Sequence, residues 1–243
     1  HGARVIQING NFDVALNIVR EIAEKEPIAL VNSVNPYRIE GQKTGAFEIV
    51  DQLGKVPNYH FIPVGNAGNI SALGKGLREL FDLGIIKKLP RLAGIQAEGS
   101  SPLVHSFKNN FIELIPQKAK ATKASAIQIG DPVSYKKAVR ELKYFNGYVE
   151  SVSENEIMDW KAQIDKLGIS ICPNSSVAMA GAVKLYEKNI IKETDHVVAI
   201  MTAHGSKFSN TAVEYHQDST NKFSNLIKFI SPKISNLENV LNL

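Results

Sequence analysis

The sequence is short of the residues that several protein classes need. Its 243 residues include a single cysteine, Cys172, which excludes an internal disulfide framework and a thiolate-rich zinc site. No spacing of His, Asp and Glu resembles a metal site. No run of 18 apolar residues is present and no signal peptide opens the chain, so a membrane helix and export are not predicted. We therefore expect a soluble, cytoplasmic protein in a reducing compartment.

The charge pattern gives no indication of a nucleic-acid partner. Lys and Arg total 28 against 24 Asp and Glu, a net charge of +4, and the lysines are scattered along predicted helix faces instead of forming a basic, aromatic-rich block. Hydrophobic residues make up 44% of the chain and charged residues 21%, as is typical of globular proteins. The length suits one large domain, or one domain and part of another.

Short β-rich runs alternate with segments of helical spacing. This alternation predicts an α/β fold with a mostly parallel open sheet and helices on both faces. The predicted strands cover residues 4–8, 28–31, 60–64, 92–96, 126–129, 148–152 and 196–202. Helices are predicted after Asn11, ending at Pro27, and after a capping box formed by Ser153 and Glu156. A third, rich in small residues over 177–185, is expected to be buried.

The stretch "GNAGN", residues 65–69, joins a predicted strand to a helix whose apolar residues recur with a 3.6-residue period. Its two glycines let the backbone turn sharply and approach a ligand closely, and the free N–H groups of the first helical turn suit a phosphate. The turn matches neither the dinucleotide fingerprint nor the Walker loop. Taken alone, it is equally compatible with a plain structural turn.

Four blocks in order carry a family resemblance that covers most of the chain, from residue 4 to about 215. They are "VNSVNPYRIEGQKT" (31–44), "PVGNAGNIS" (63–71), "GIQAEGSSP" (94–102) and "TAHGSK" (202–207). Together they resemble the threonine synthases, pyridoxal-phosphate enzymes related to threonine dehydratase and the tryptophan synthase β subunit. The resemblance implies the tryptophan synthase β-like fold, pyridoxal 5'-phosphate as cofactor, threonine biosynthesis as the role and a homodimer as the assembly.

The resemblance also assigns residues to the cofactor and the substrate. The backbone of Gly65, Asn66, Ala67, Gly68 and Asn69 would hold the cofactor phosphate, and Thr202 would face the pyridine nitrogen. The substrate would be O-phosphohomoserine, whose phosphate would contact Asn32, Ser33 and Arg38. Guanidinium groups suit this task because they pair bidentately with phosphate oxygens. Without the resemblance, the sequence favours a solvated charge at a helix start for Arg38.

Two expected features of the family are not found in the sequence. The lysine of the cofactor's Schiff base, in a Ser-Phe-Lys-Asp block, and the loop for the substrate carboxylate would both lie upstream of His1. We therefore expect no catalytic residue in this chain and an N-terminally incomplete fold, so that the chain alone is inactive. "HSFKNNF" (105–111) mimics the lysine block, but Lys108 follows the glycine turn instead of preceding it, and we expect a surface helix there.

The predicted division is a remnant of a smaller domain (1–30), a large cofactor-binding α/β domain (31–215) and a C-terminal tail (216–243). Three hypotheses follow from these residues. The first is a threonine synthase that converts O-phosphohomoserine and water to threonine and phosphate. The second is a non-catalytic fragment that binds phosphate or a partner chain. The third is a related threonine or serine dehydratase, which would have no use for a second phosphate site.

Overall fold

The computed structural model describes residues 2–10, 12–32 and 34–242. Within them, four parallel strands form one sheet in the order β3-β2-β1-β4. The strands are β1 (Tyr59–Pro63), β2 (Arg91–Ala97), β3 (Tyr148–Val152) and β4 (Val197–Ala199). The predicted parallel α/β class is therefore confirmed.

Helices connect and cover these strands. In the described part of the chain they are α1 (Phe12–Lys25), α2 (Tyr37–Gln42), α3 (Thr44–Leu53), α4 (Gly68–Asp82), α5 (Pro102–Lys108), α6 (Tyr135–Tyr144), α7 (Glu154–Lys166), α8 (Pro173–Glu187), α9 (Ser209–Gln217) and α10 (Ile234–Leu241). None of the helices that the structure describes is both long and apolar enough to cross a bilayer.

Successive side chains of a strand point to opposite sides of the sheet. Both faces are buried because helices cover each of them. Phe61 and Ile95 belong to one apolar cluster, which also contains residues of α7 and α8. Ile62 and Leu92 belong to the other, which contains residues of α4 and α6. All five residues of β1 are buried. A near-continuous apolar run is thus what a central parallel strand requires.

The direction in which the chain crosses the sheet changes once. From β1 the chain passes through α4 to β2 and then through α6 to β3, always on the same side of β1. It then returns through α7 and α8 to β4, which pairs with the opposite edge of β1. Strand order therefore reverses between β1 and β4, and the carboxyl ends of these two strands border the crevice in which open α/β sheets bind ligands.

Three predicted strands are wrong. Residues 4–8 and 28–31 form no strand; Val5 and Ile6 are 88% and 74% exposed. High β propensity is not enough without a neighbouring strand to pair with, because propensity mainly reports how well side chains pack on a sheet. Residues 126–129 overlap a short 3₁₀ helix, Ser125–Ile127. There, Ala126 N–H donates to Asn174 Oδ1 at 2.9 Å instead of to a strand.

The predicted helices are present. α1 begins at Phe12 and ends before Pro27. Ser153 and Glu156 form both hydrogen bonds of the capping box at the start of α7. The small-residue helix is α8, and most of its first ten residues are buried. Its small side chains allow close contact with β1 and β2.

Candidate active site

The glycine-containing turn leaves the carboxyl end of β1 and is pressed against a neighbouring loop. A Cβ atom added to Gly65 would lie 3.0 Å from both Ile127 Cα and Ile129 Cδ1, so only glycine fits without a shift of the loop. Asn66 is tied to the next segment, since its carbonyl oxygen accepts a hydrogen bond from Ser134 N–H at 3.0 Å. The backbone path of the turn is therefore fixed on two sides.

The turn ends in a strained residue that starts a helix. Ala67 adopts the left-handed conformation with φ 63°, which is uncommon for a residue with a side chain and concentrates at functional sites. Its carbonyl oxygen accepts a hydrogen bond from Ser71 Oγ at 2.6 Å. No side chain of the described residues caps α4, and its first turn contains no acidic residue. The first N–H groups of this 15-residue helix are therefore available to an anion.

A cavity of about 290 Å³ lies in front of this helix end. Its lining includes all five residues of the turn together with Arg38 and Thr202. Arg38 carries the one charge in the lining among the residues that the structure describes. The other lining residues are Ile39, Gln42, Pro63, Ala126, Ile127, Ile129, Cys172, Asn174 and Ala203. The local charge of the cavity is therefore positive, and its volume is close to the lower end of the usual range for ligand pockets.

The residues present fit a phosphorylated ligand. A Cβ atom added to Gly68 would meet nothing closer than Ser134 Oγ at 4.0 Å, so packing inside the protein does not require glycine there. Gly68 lines the cavity, and a side chain at this position would take up room beside the uncapped helix end. The site therefore suits a ligand that carries negative charge, because it combines open space beside Gly68, free N–H groups at the helix end and the guanidinium group of Arg38.

Thr202 lies three residues beyond β4, which ends at Ala199 and not at 202 as the sequence predicted. Its side chain borders the cavity, and its hydroxyl oxygen lies 3.3 Å from Ser175 Oγ. Ser175 is fully buried in the first turn of α8. The structure thus places Thr202 and the turn at one cavity, as required for a ligand that contacts both.

The three residues predicted for the substrate phosphate do not all lie at this cavity. Arg38, in α2, lines it. Asn32 is not part of the lining, and its Oδ1 accepts a hydrogen bond from Val34 N–H at 3.2 Å. Ser33 lies outside the described residues. The structure therefore brings Arg38 to the same cavity as the 65–69 turn, whereas Asn32 makes a hydrogen bond within the turn that precedes α2.

Lys108 is exposed at the last position of α5 and does not line the cavity. Sequence reasoning did not single out Gln42 or Asn174, which do line it. Asn174 is 5% exposed and holds the 125–127 turn through Ala126. Pro173 marks the start of this helix in the sequence, but a helix-start signal does not by itself indicate that Asn174 faces a cavity.

The fold and the sequence both have known relatives. The family model described as "Pyridoxal-phosphate dependent enzyme" matches residues 1–203. Threonine synthase from Methanocaldococcus jannaschii is 45% identical over 220 residues, which is 90% of this chain and 54% of that protein. Threonine synthase 2, chloroplastic, from Arabidopsis thaliana is 44% identical over 218 residues, 89% of this chain and 42% of that protein. The chain thus spans about half the length of these relatives.

Solved structures share the architecture. Threonine synthase from Escherichia coli superposes with a TM-score of 0.69 at 17% identity, over 98% of this chain and 57% of that one. The processed form of threonine deaminase isoform 2 from Solanum lycopersicum gives 0.70 at 22% identity, over 86% and 58%. At such identities the likeness shows the fold alone. Because the family model covers most of the sequence, the chain belongs to the pyridoxal-phosphate dependent enzymes.

Proposed function

We propose that this chain is the cofactor-binding part of a threonine synthase, which converts O-phosphohomoserine and water to threonine and phosphate. The observation that carries the proposal is one cavity that contains the uncapped end of α4, Arg38 and Thr202. The relatives named threonine synthase, at 44 to 45% identity, support it. We also propose that residues 31–215 form the cofactor domain, with part of a smaller domain before it and a tail after it.

In this proposal the turn holds the phosphate of pyridoxal 5'-phosphate. The main-chain N–H groups of residues 65–69 would donate to its oxygens, and the α4 dipole favours its charge. When bound, this cofactor withdraws electrons from the substrate and so stabilises a carbanion. Thr202 would contact the ring nitrogen through its hydroxyl. Since a hydroxyl is not a carboxylate, it does not hold that nitrogen protonated.

Arg38 would hold the second anion, the phosphate that leaves the substrate. As the bond between the γ-carbon and the phosphate oxygen breaks, negative charge builds on the departing group. A guanidinium placed at that point stabilises the transition state more than the ground state. The planar fork also orients the phosphate through two parallel hydrogen bonds. A cavity whose lining charge is only positive, among the described residues, matches both anions.

Replacing Arg38 with Ala tests this role in the complete enzyme. We expect kcat/KM for O-phosphohomoserine to fall by roughly 30- to 900-fold, which corresponds to about 2 to 4 kcal/mol of lost transition-state binding. Arg38→Lys keeps the charge but loses the bidentate geometry, so it should recover only part of the loss. Phosphate release is the measured quantity. An unchanged kcat/KM in Arg38→Ala would remove Arg38 from the substrate site.

Product assays and a binding titration separate the alternative hypotheses. A dehydratase would release ammonia and a 2-oxo acid from threonine or serine and no phosphate, whereas a threonine synthase releases phosphate from O-phosphohomoserine. A non-catalytic phosphate-binding fragment would bind inorganic phosphate in calorimetric titration but show no added affinity for pyridoxal phosphate. The cavity lined by Arg38 favours the synthase, because water as a leaving group needs no guanidinium partner.

Two further parts of the proposal concern the setting of the protein. A cytoplasmic location agrees with the single, buried cysteine, which suits a reducing compartment. A homodimer is what the family resemblance implies. Light scattering coupled to size exclusion tests the assembly, and a monomer at micromolar concentration would contradict it.

A further inference from the structure

A buried hydroxyl lies directly behind Thr202. Ser175 is 0% exposed and does not line the cavity, yet its Oγ is surrounded by four polar atoms. Thr202 Oγ1 lies at 3.3 Å, Ala203 N at 3.1 Å, Ala203 O at 3.3 Å and Cys172 Sγ at 3.2 Å. A serine hydroxyl has one proton and two lone pairs, so it cannot satisfy all four contacts in the same way.

The partners of those four atoms decide where the serine proton goes. Ala203 N–H donates to Ser175 Oγ and occupies one lone pair. Ala203 O already accepts a hydrogen bond from Cys172 N–H at 3.1 Å. Cys172 Sγ, a weak acceptor, already accepts from Ser175 N–H at 3.4 Å. Among the described residues, Ser175 Oγ is the only hydrogen-bond partner of Thr202 Oγ1. Ala203 O has a second lone pair that can accept from Ser175 Oγ at 3.3 Å, but of the three acceptors within reach of the serine proton only Thr202 Oγ1 receives no hydrogen bond from another described group.

The backbone around this contact is held from both sides. Ile171 and His204 form an antiparallel bridge, and Gly205 N–H donates to the carbonyl oxygen of Ser170 at 3.2 Å. The segment that leads into α8 is thus fastened to the segment that follows Thr202. This fastening fixes the distance between the two hydroxyls.

We propose that Ser175 is a positioning residue that donates its proton to Thr202 Oγ1 and thereby directs the proton of Thr202 into the cavity. Thr202 then presents a hydrogen-bond donor to the ligand. A ligand with an acceptor atom at that wall, such as an unprotonated pyridine nitrogen, is selected over one with a protonated nitrogen. This inference rests on the proposed function, because it takes the ligand to be pyridoxal phosphate.

A double-mutant cycle in ligand affinity tests the proposal. The dissociation constants of pyridoxal phosphate and of inorganic phosphate are measured by calorimetry for the full chain and for Ser175→Ala, Thr202→Val and the double variant. Ser176→Ala is the matched control, since Ser176 is equally buried but its Oγ donates to Pro173 O at 2.9 Å. Inorganic phosphate has no pyridine ring to contact Thr202 and reports on the anion-binding groups of the cavity, the 65–69 turn and Arg38, and so shows whether each variant keeps a folded site.

We expect Ser175→Ala to weaken pyridoxal phosphate binding by about 3- to 10-fold, the range of one neutral hydrogen bond. The double variant should bind no more weakly than Thr202→Val, because Ser175 acts through Thr202. Phosphate affinity should stay within about twofold of the unmodified chain in every variant, and Ser176→Ala should match the unmodified chain for both ligands.

The other possible results contradict either the role of Ser175 or the proposed cofactor site. If Ser175→Ala weakens binding equally in the presence and absence of Thr202, Ser175 acts through the backbone of Ala203 and the proposal is wrong. Unchanged affinity in Ser175→Ala, or an equal loss of inorganic phosphate affinity, also rejects it. If the unmodified chain binds phosphate but pyridoxal phosphate no better, the proposed cofactor site fails, and this role of Ser175 fails with it.

Discussion

His60 is a fully buried histidine in the central strand β1. Neither ring nitrogen has a hydrogen-bond partner among the described residues. Burial disfavours the charged form of the ring and lowers the pKa of His60 from 6.5 to about 4. The site does not use this residue, since it does not line the cavity. The lowered pKa of His60 instead makes the free energy of unfolding depend on pH.

The sign of that consequence follows from proton binding. Above pH 6.5 the ring is neutral in both the folded and the unfolded chain, so the free energy of unfolding is unaffected. Between pH 6.5 and about 4 only the unfolded chain binds the proton. The free energy of unfolding therefore decreases as the pH is lowered, by up to ~1.4 kcal/mol per pH unit. Below pH 4 the loss is complete.

Urea unfolding at pH 7.5, 6.0 and 5.0 measures this dependence. His60→Leu should remove most of the loss between pH 6.5 and 5, because leucine does not titrate. His105→Gln is the control, since His105 is exposed and its replacement should leave the loss in place. Equal pH dependence in the unmodified chain and His60→Leu would contradict the assignment.

At the scale of elements, α7 fixes the segment that leads into the site. Lys161 is 3% exposed and pairs with Asp165 one turn later. Asp165 Oδ1 also accepts a hydrogen bond from Ile171 N–H at 3.1 Å. Asp165 therefore both neutralises a buried ammonium group and holds the residue that bridges to His204. An ion pair with one buried partner is costly to break, because the remaining charge loses its compensation.

We expect Asp165→Ala to lower the free energy of unfolding by about 3 to 5 kcal/mol, since Lys161 is left charged inside the protein. Replacing both partners, Lys161→Met with Asp165→Leu, should cost less than Asp165→Ala alone. Chemical unfolding of the three proteins gives the comparison. Both proteins lack the hydrogen bond to Ile171 N–H, so a double variant that is less stable than Asp165→Ala would contradict the assignment of the loss to an unpaired buried charge.

At the scale of the whole molecule, the core ends near Tyr215. This residue is buried. Its hydroxyl donates a hydrogen bond to Asp159 Oδ1 at 2.5 Å and accepts one from Phe223 N–H at 3.2 Å. No described residue after Tyr215 is buried, and α10 buries none of its side chains. Among the described residues, Phe223 is the last that packs against the apolar cluster containing Phe61 and Ile95.

Truncation after residue 224 should therefore change the free energy of unfolding by less than about 0.5 kcal/mol, the range of surface changes. Tyr215→Phe should cost about 0.5 to 1.5 kcal/mol for its lost hydrogen bonds. Tyr186→Phe is the matched control, because the Tyr186 hydroxyl bonds to Glu193 at an exposed site and should contribute little. A truncated chain that unfolds at clearly lower urea concentration would disprove this boundary.

The sequence by itself determined the local elements whose signals lie within a few residues. The capping box at Ser153, the periodic apolar face of α4 and the apolar run of β1 each specify one element through neighbouring side chains. The four blocks also predicted the family, which the comparisons show. The turn at 65–69 is recognisable in the sequence because its two glycines stand between a predicted strand and an amphipathic helix, where they let the backbone turn sharply.

Only the tertiary structure decided which of these parts meet. Residues 126–129 look like a strand in sequence but form a cavity wall, because Gly65 and Asn174 hold them there. Arg38 and Thr202 are 164 positions apart and share a cavity because β4 pairs with the free edge of β1. Strand order depends on long-range pairing, and the buried contacts of Ser175 and His60 depend on what packs against them. Local sequence contains neither kind of information.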